Sequence, residues 1–276
     1  MLLLERDHPT ISLRRQCELL GLNRSTASYV PAVEEQTAEA RDLLNAIDAV
    51  FTACPFYGTR RLKVVLHRDY ALLVGRDRIR RAMQELGLQA VYPRPRKCGS
   101  TSDKNHQKYP YLLPQVSIDR PNAVWGTDIT YLRLRSGWGY LAALIDWYSR
   151  YVVGFAVSVR PDVDLCLDAL AQAFAATGNV PFIHNSDQGS TYASETYTRE
   201  LEARGIRISM DGRGRCMDNI FTERLWRSVK YENVFLMDYR DVDHAREGLA
   251  EYFSFYNTKR PHQSLDDRTP SDLYHP

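Results

Sequence analysis

The sequence predicts an α/β chain in which a small all-α region precedes a mixed five-stranded sheet flanked by helices. Two features carry this expectation. Up to about residue 90, apolar side chains recur at three- and four-residue spacing between glycine stops. From Val124 three runs rich in β-branched and aromatic residues follow one another directly, and helical and strand patterns then alternate.

Thr10 or Ser12 can cap a first helix through Leu19 and Leu20, stopped by Gly21. A short second helix is expected over Arg24–Tyr29. Ala38, Leu43, Leu44, Ile47 and Val50 mark a helix within 34–53. Tyr57-Gly58 makes a turn, and Thr59 opens a helix through Leu62, Val65 and Leu66. Another helix runs from Arg76 to Leu86, with Gly87 behind it. There Ile79, Met83 and Leu86 share one face and leave Arg78 and Arg81 elsewhere. Two helices, a short turn and a basic second helix make a helix-turn-helix candidate; the plainer reading is a small helical bundle. Residues 91–120 turn basic and proline-containing, with Arg94, Arg96 and Lys97 near their start. They read as an extended linker, either solvated or lying along a phosphate backbone. The expected division is a helical, helix-turn-helix-like region over 1–90, this linker over 91–120, and an α/β core with C-terminal helices over 121–276.

In the last segment Trp125 to Leu134, Gly137 to Tyr148 and Tyr151 to Val159 read as strands, joined at Arg135-Ser136 and at 146–150. Asp162 begins a helix with Leu165, Leu167, Leu170 and Phe174, ended near Gly178. A strand over 180–185, a helix around 194–204, a short strand over 206–210 and helices near 219–232 and 241–256 follow. This βββαβαβα order is the layout of the ribonuclease-H-like fold.

Composition narrows the class. The 276 residues are 44% hydrophobic and 25% charged, a globular balance that excludes a disordered or fibrous chain. No apolar run approaches a membrane span. Five single cysteines without a CxxC pair, and histidines without HxxH or HExxH spacing, argue against a disulfide framework and against zinc. They favour a reducing, cytoplasmic setting. The net charge of +2 conceals a basic front: residues 60–97 hold eleven basic and three acidic side chains. Such a run docks on a polyanion or forms a solvated helix face.

Three carboxylates stand out by context. Asp128 lies inside an apolar strand, where a charge is costly unless paired or metal-bound. Asp187 lies just past the fourth strand, and Glu223 on the helix that follows the fifth. The first and fourth strands are neighbours in a ribonuclease-H-like sheet, so Asp128 and Asp187 converge and Glu223 can reach them. Three acids in one pocket repel one another unless cations neutralise them. Hard oxygen ligands suit Mg²⁺, with Mn²⁺ as substitute, and two such ions can clamp both oxygens of a phosphoryl displacement. On an ideal helix Arg227 and Lys230 share the face of Glu223 and offer cations to DNA, while Phe221, Leu225 and Val229 face the core.

The segment 124–272 resembles the catalytic core of DDE transposases, of the integrase-like kind encoded by the second reading frame of bacterial insertion sequences. The motifs that carry the resemblance are Trp125-x-Thr-Asp-Ile-Thr130, Ser186-Asp-Gln-Gly-Ser190, Asp218-Asn-x-x-x-Glu223 and Tyr256-Asn-x-x-Arg-Pro-His262, followed by Leu265 and Thr269-Pro270. Thirty-five residues separate Asp187 from Glu223, and Lys230 follows the glutamate by seven, both in the family manner. Upstream, Tyr57-Gly-x-Arg-Arg61 and Arg78-x-x-Arg-x-Met83 resemble the family's helical DNA-contacting region, which adds Arg60, Arg61, Arg78 and Arg81 to the DNA-binding candidates. The resemblance implies Asp128, Asp187 and Glu223 as catalytic metal ligands, element ends and target DNA as substrates, and 3′-OH strand transfer as the joining step. It further implies a nucleoid-associated enzyme, a circular intermediate, a homo-oligomer on DNA, and a fusion or complex with the first-frame helix-turn-helix protein. A zinc-binding HHCC module, present in retroviral relatives, and a leucine zipper have no counterpart in the sequence.

Other residues carry two readings each. Asp146 is a fourth carboxylate or, more simply, a turn residue. His184 positions water or metal, or is a structural histidine. Asn219 bonds within the site or caps its helix. Arg260 and His262 touch DNA or lock the last helix onto the core. Gln188, Gly189 and Ser190 shape the loop after Asp187, and Trp125, Trp138 and Trp226 are assigned to the core rather than to base stacking. Two rival functions remain at this level: a non-catalytic DNA-binding regulator derived from such an element, and a nuclease of the same fold without joining activity.

Overall fold

The computed structural model describes residues 4–5, 8–23, 37–92, 109–211 and 219–275. The expected helix at Arg24–Tyr29, the cations Arg94, Arg96 and Lys97, and Asp218 of the third motif lie outside the described residues.

The chain divides into two compact units, residues 1–45 and 46–276. In the first, helix α1 (Leu13–Leu19) is capped by Ser12, whose hydroxyl accepts the Arg15 N–H. The buried Gln16 donates to the Glu5 and Ile11 carbonyls and accepts the Glu5 N–H, fastening the preceding strand of chain to the helix. Helix α2 (Ala38–Ala53) contains the boundary between the units.

In the second unit, helices α3 (Thr59–Tyr70) and α4 (Arg76–Glu85) are joined by five residues, opened by Ala71 in the left-handed conformation at φ 55°. Leu62, Val65, Leu66, Ile79 and Met83 are buried, and Arg60, Arg78 and Arg81 are exposed. The sheet follows: β1 (Val124–Leu134), β2 (Gly137–Asp146), β3 (Val152–Ser158), then α5 (Val163–Thr177), β4 (Ile183–Ser186), α6 (Glu195–Glu202) and β5 (Arg207–Met210). Its order is β3-β2-β1-β4-β5, antiparallel through β1–β2–β3 and parallel across β1–β4–β5. This is the ribonuclease-H-like arrangement. Two helices of the sheet region open on side-chain caps: Asp162 accepts the Leu165 N–H and Ser194 that of Tyr197, and Gly178 closes α5 at φ 64°.

Strand alternation builds a core on each face of the sheet. Leu141, Ala143 and Ile145 of β2 point to one face, under helices α7 (Ile220–Val229) and α8 (Val242–Thr258). Ala142 and Leu144 point to the other, where α5 and α6 pack. Gly154 lets α5 approach β3 closely, since a Cβ there falls 2.5 Å from the Ala169 carbonyl oxygen. A short α9 (Pro270–Tyr274) ends the described fold, opened by a Thr269/Asp272 capping box.

Three expectations are corrected. Residues 109–118 are packed rather than extended: Leu113 is buried, Tyr111, Leu112, Val116 and Ile118 join the α7/α8 core, and the Leu112 N–H donates to Ser209. The sequence offers four apolar side chains within 111–116 for this burial, which outweighs the flanking prolines. Trp138 is 57% exposed, because it sits at the β1–β2 hairpin beyond the reach of either helical layer; it meets Tyr131 edge-on and carries Arg133 above its ring. The helix expected to continue to 232 widens into a π-helical turn at Lys230–Val234.

Candidate active site

Two of the three acids are placed by the parallel pair β1–β4. Gly126 stands opposite Asn185 at the last pair of the β1–β4 ladder, so Asp128, two residues on within β1, and Asp187, two residues on and just past the end of β4, lie at the same level where the two strands part. Asp128 faces the α7 side. Its Oδ2 accepts the Trp226 indole N–H at 2.9 Å, and its Oδ1 accepts the Ile129 N–H at 2.8 Å. Trp226 lies on α7 three residues after Glu223, so this bond ties the helix that carries the third acid to the strand that carries the first. The strand can come so close to the α7 layer because Gly126 has no side chain: a Cβ there falls 2.1 Å from Trp147 Nε1 and 3.1 Å from Thr222 Oγ1.

Burial pushes the Asp128 carboxyl up to about 6, and the charges of Asp187 and Glu223 push in the same direction against the Trp226 and Ile129 hydrogen bonds. Asp187 is raised as well by the protein around it, opposed by the Gly189 N–H, which donates to its Oδ1 at 2.9 Å. These are oxygen donors short of countercharge, which is the chemistry that accepts a hard divalent cation. Glu223 is exposed on α7, and among the described residues no three His, Cys, Asp or Glu side chains already stand together as a metal-binding group.

The residues with two readings resolve as follows. Asp146 is fully buried and accepts the Asn122 N–H, the Ser149 N–H and the Ser149 hydroxyl, so it builds the turn after β2. His184 is fully buried, its Nε2 3.0 Å from the Tyr197 hydroxyl, and burial lowers its pKa to about 3. It is a neutral structural histidine. Asn219 stands at the N-cap of α7 without accepting a backbone N–H there. Its side chain instead donates to the Thr127 carbonyl and accepts from Thr222, joining α7 to the strand beside Asp128. Trp125 and Trp226 are buried.

Arg260 is locked, not presented. It donates through Nε and Nη2 to Glu232 at 2.7 Å each, and through Nη2 to Ser228 at 3.1 Å. Its Nη1 donates to His262 Nε2, a ring that burial and the neighbouring Arg260 keep neutral, with a pKa pushed down to about 2. Arg61 also engages Glu232, at 2.9 Å. The adjoining Asn257 pairs both its amide groups with the backbone of Val152 and pins α8 to the start of β3.

Alongside α7 lies a groove of about 1490 Å³ between that helix, α3 and the 260–267 segment. Arg60, Lys63, Arg68, Arg150, Arg224 and Arg227 line it, and the carboxylates of Asp128 and Asp187 do not. Arg227 is exposed and lies over the Tyr231 ring at 5.5 Å; Lys230 is half-buried at the start of the π-helical turn. Arg150 and Arg224 escape sequence reasoning because no motif or periodicity singles them out.

Comparison with known proteins agrees with this architecture. The family profile described as integrase core domain matches residues 118–216, a second profile of that description matches 204–270, and an HTH-like domain matches 38–96. The chain is 32% identical over 269 residues to an insertion element IS600 uncharacterized 31 kDa protein of Shigella sonnei, covering 94% of this chain and 98% of that one. It is 31% identical over 243 residues to a transposase for insertion sequence element IS904 of Lactococcus lactis subsp. lactis (strain IL1403), covering 87% and 96%. Its fold resembles a chain in the cryoEM structure of a simian T-cell lymphotropic virus intasome in complex with PP2A regulatory subunit B56 gamma, with a TM-score of 0.52 at 19% identity, covering 84% and 74%. With its sheet, its helix-turn-helix pair and near full-length relatives of this kind, the chain belongs to the integrase-core transposases of bacterial insertion elements, DDE-type polynucleotidyl transferases that bind DNA.

Proposed function

We propose that Asp128, Asp187 and Glu223 are the catalytic carboxylates of this transposase and together hold two divalent ions, Mg²⁺ or Mn²⁺. The observation that carries the reading is the convergence of Asp128 and Asp187 at the β1–β4 pair, each raised in pKa, with the charge of Glu223 felt at Asp128. When bound, the ions neutralise the acids and act as Lewis acids on the phosphodiester oxygens. The chain's own residues orient the ligands: Trp226 and Ile129 fix Asp128, Gly189 fixes Asp187, and Asn219 with Thr222 sets the start of α7. A water attacks the scissile phosphodiester and its P–O3′ bond breaks, leaving a 3′-OH and a 5′-phosphate; that 3′-OH then attacks a target phosphodiester, joining to its phosphorus as the target's own 3′ oxygen departs and takes up the proton. No covalent bond to the protein is required.

Residues 1–90 serve DNA binding, 91–120 connect, and 121–276 carry the chemistry. Arg60, Arg78, Arg81, Arg227 and Lys230 contact phosphate, as do Arg94, Arg96 and Lys97; Arg61 does so from its pair with Glu232. Synapsis of two element ends calls for a homo-oligomer on DNA, and the first-frame helix-turn-helix protein acts as fusion or complex partner. The test is an in vitro assay of 3′-OH-ended element DNA with a supercoiled target, in Mg²⁺, Mn²⁺ or EDTA, with and without the first-frame protein. Joined product that needs the metal and disappears in Glu223→Gln is the expected result. Hydrolysis without joining points to a nuclease, and binding alone to a regulator.

A further inference from the structure

Arg150 occupies the turn between β2 and β3 with a left-handed backbone, φ 64°, a conformation that an arginine adopts only when its surroundings impose it. Its N–H donates to the Asp146 carbonyl at 2.8 Å. The guanidinium carbon lies over the Phe221 ring of α7, 3.4 Å from the centroid, and Phe221 meets Trp147 edge-on at 5.1 Å. Its Nη1 is buried and has no hydrogen-bond partner among the described residues. Arg150 forms no ion pair there either. Tyr256 and Asp146 are the acidic groups whose fields reach it, and Asp146 already accepts three hydrogen bonds from Asn122 and Ser149. Burial pulls its pKa down to about 10. A half-buried cation with a buried, unpartnered nitrogen is unfavourable, and placing one beside an open groove leaves room for an anion to relieve it.

We propose that Arg150 anchors one backbone phosphate of duplex DNA lying in the groove along α7, a role that rests on the DNA-transposition reading. Phe221 takes up one side of the guanidinium, while Arg150 still lines the groove, where a phosphate oxygen can reach the N–H groups that are not buried. Arg224 and Arg227 stand on the same groove wall and continue the track of positive charge. Phe221 precedes Glu223 by two residues, so the phosphate that Arg150 holds is fixed relative to the helix that carries the third acid.

The experiment measures the affinity of the full chain for a short blunt duplex by fluorescence anisotropy across a salt series, for wild type, Arg150→Met, Arg150→Lys and Arg78→Ala. Thermal unfolding of each variant is recorded first. Arg150→Met, which keeps an apolar contact on Phe221, should bind about tenfold more weakly and lower the slope of log K against log salt by about 0.9, the value of one phosphate contact on B-form DNA. Its unfolding temperature should not fall, because methionine keeps the contact with Phe221 and removes the buried nitrogen that has no hydrogen bond. Arg150→Lys, which keeps the charge, should restore the slope, and that comparison stands if the Met variant fails to fold. An unchanged slope in Arg150→Met, or a slope in Arg150→Lys below that of wild type by the full contact, overturns the anchor while leaving DNA binding intact. Failure of wild type to bind the duplex, with Arg78→Ala no different, overturns the anchor and the DNA-binding reading together.

Discussion

Glu232→Gln should destabilise the fold by about 3–5 kcal/mol, because it breaks a buried ion pair from one side only. Glu232 and Arg260 side chains are 7% and 6% exposed. The carboxylate accepts two bonds from Arg260 at 2.7 Å, one from Arg61 at 2.9 Å and one from the Tyr252 hydroxyl at 3.1 Å. Burial alone would raise this carboxyl, yet Arg260 and Arg61 hold it below the usual carboxylate range. Glutamine keeps the shape, but it turns one acceptor into a donor aimed at a guanidinium and leaves Arg260 charged and buried. At about 2–4 °C per kcal/mol for a chain of this size class, unfolding should begin some 10 °C lower. Arg61→Gln should cost far less, about 1 kcal/mol, since a third of that side chain is exposed and solvent screens its pair. The pH dependence has a definite sign. A depressed carboxyl stabilises the fold above its unfolded pKa, near 4.5, and that stabilisation is lost as pH falls through the lower folded value. Urea unfolding of wild type and Glu232→Gln should therefore converge in acid and separate at neutral pH. A neutral-pH difference under about 1 kcal/mol would refute the reasoning.

Three further outcomes follow from the same geometry. Trp226→Phe removes the N–H that fixes Asp128 and should lower strand-transfer rate or metal affinity about 10–100-fold, with duplex affinity unchanged in the anisotropy assay. Asn257→Ala leaves the Val152 N–H and carbonyl without their buried partners and should cost about 2–3 kcal/mol in chemical unfolding. Mg²⁺ at a hundred times its dissociation constant should stabilise the chain by about 2.7 kcal/mol, read as a rise in unfolding temperature that Asp187→Asn abolishes. An equal rise in that variant would place the ion elsewhere.

What could be read from the sequence was whatever rests on local chemistry. The helix start at Asp162, the Gly178 stop and the buried Ile79–Met83 face are consequences of local side-chain chemistry and spacing, and the structure has them where the pattern places them. Asp128 and Asp187 could be seen to converge because a βββαβ order makes the first and fourth strands neighbours. What could not be read depends on contacts distant in the chain. The π-helical turn at Lys230–Val234 sits where Glu232 bonds Arg61 and Arg260, 171 and 28 residues away. Trp138 looks like core by type, but exposure is decided by how far the hairpin extends past the helices that cover the sheet. Asn219 looks like a cap by position, and its partner Thr127 lies 92 residues upstream.

The position of α7 is the point on which these interactions meet. Asp128 and Asp187 are placed by a backbone ladder, whose bonds reinforce one another and leave the two strands little freedom. Glu223 is placed by a helix, and that helix is joined to the sheet through side chains: Asn219 to Thr127 at its start, Trp226 to Asp128 along its length, and Ser228 to Arg260 near its end. Side-chain ties are fewer and yield more easily than a ladder. On the proposed assignment the third acid is therefore the member of the trio most open to adjustment, and Arg224 and Arg227, on the neighbouring flank of the same helix, line the basic groove. A duplex phosphate held there bears on the same helix that carries Glu223. Under the proposed assignment, DNA binding and completion of the acidic site would act through one element, and seating the substrate would favour the chemistry.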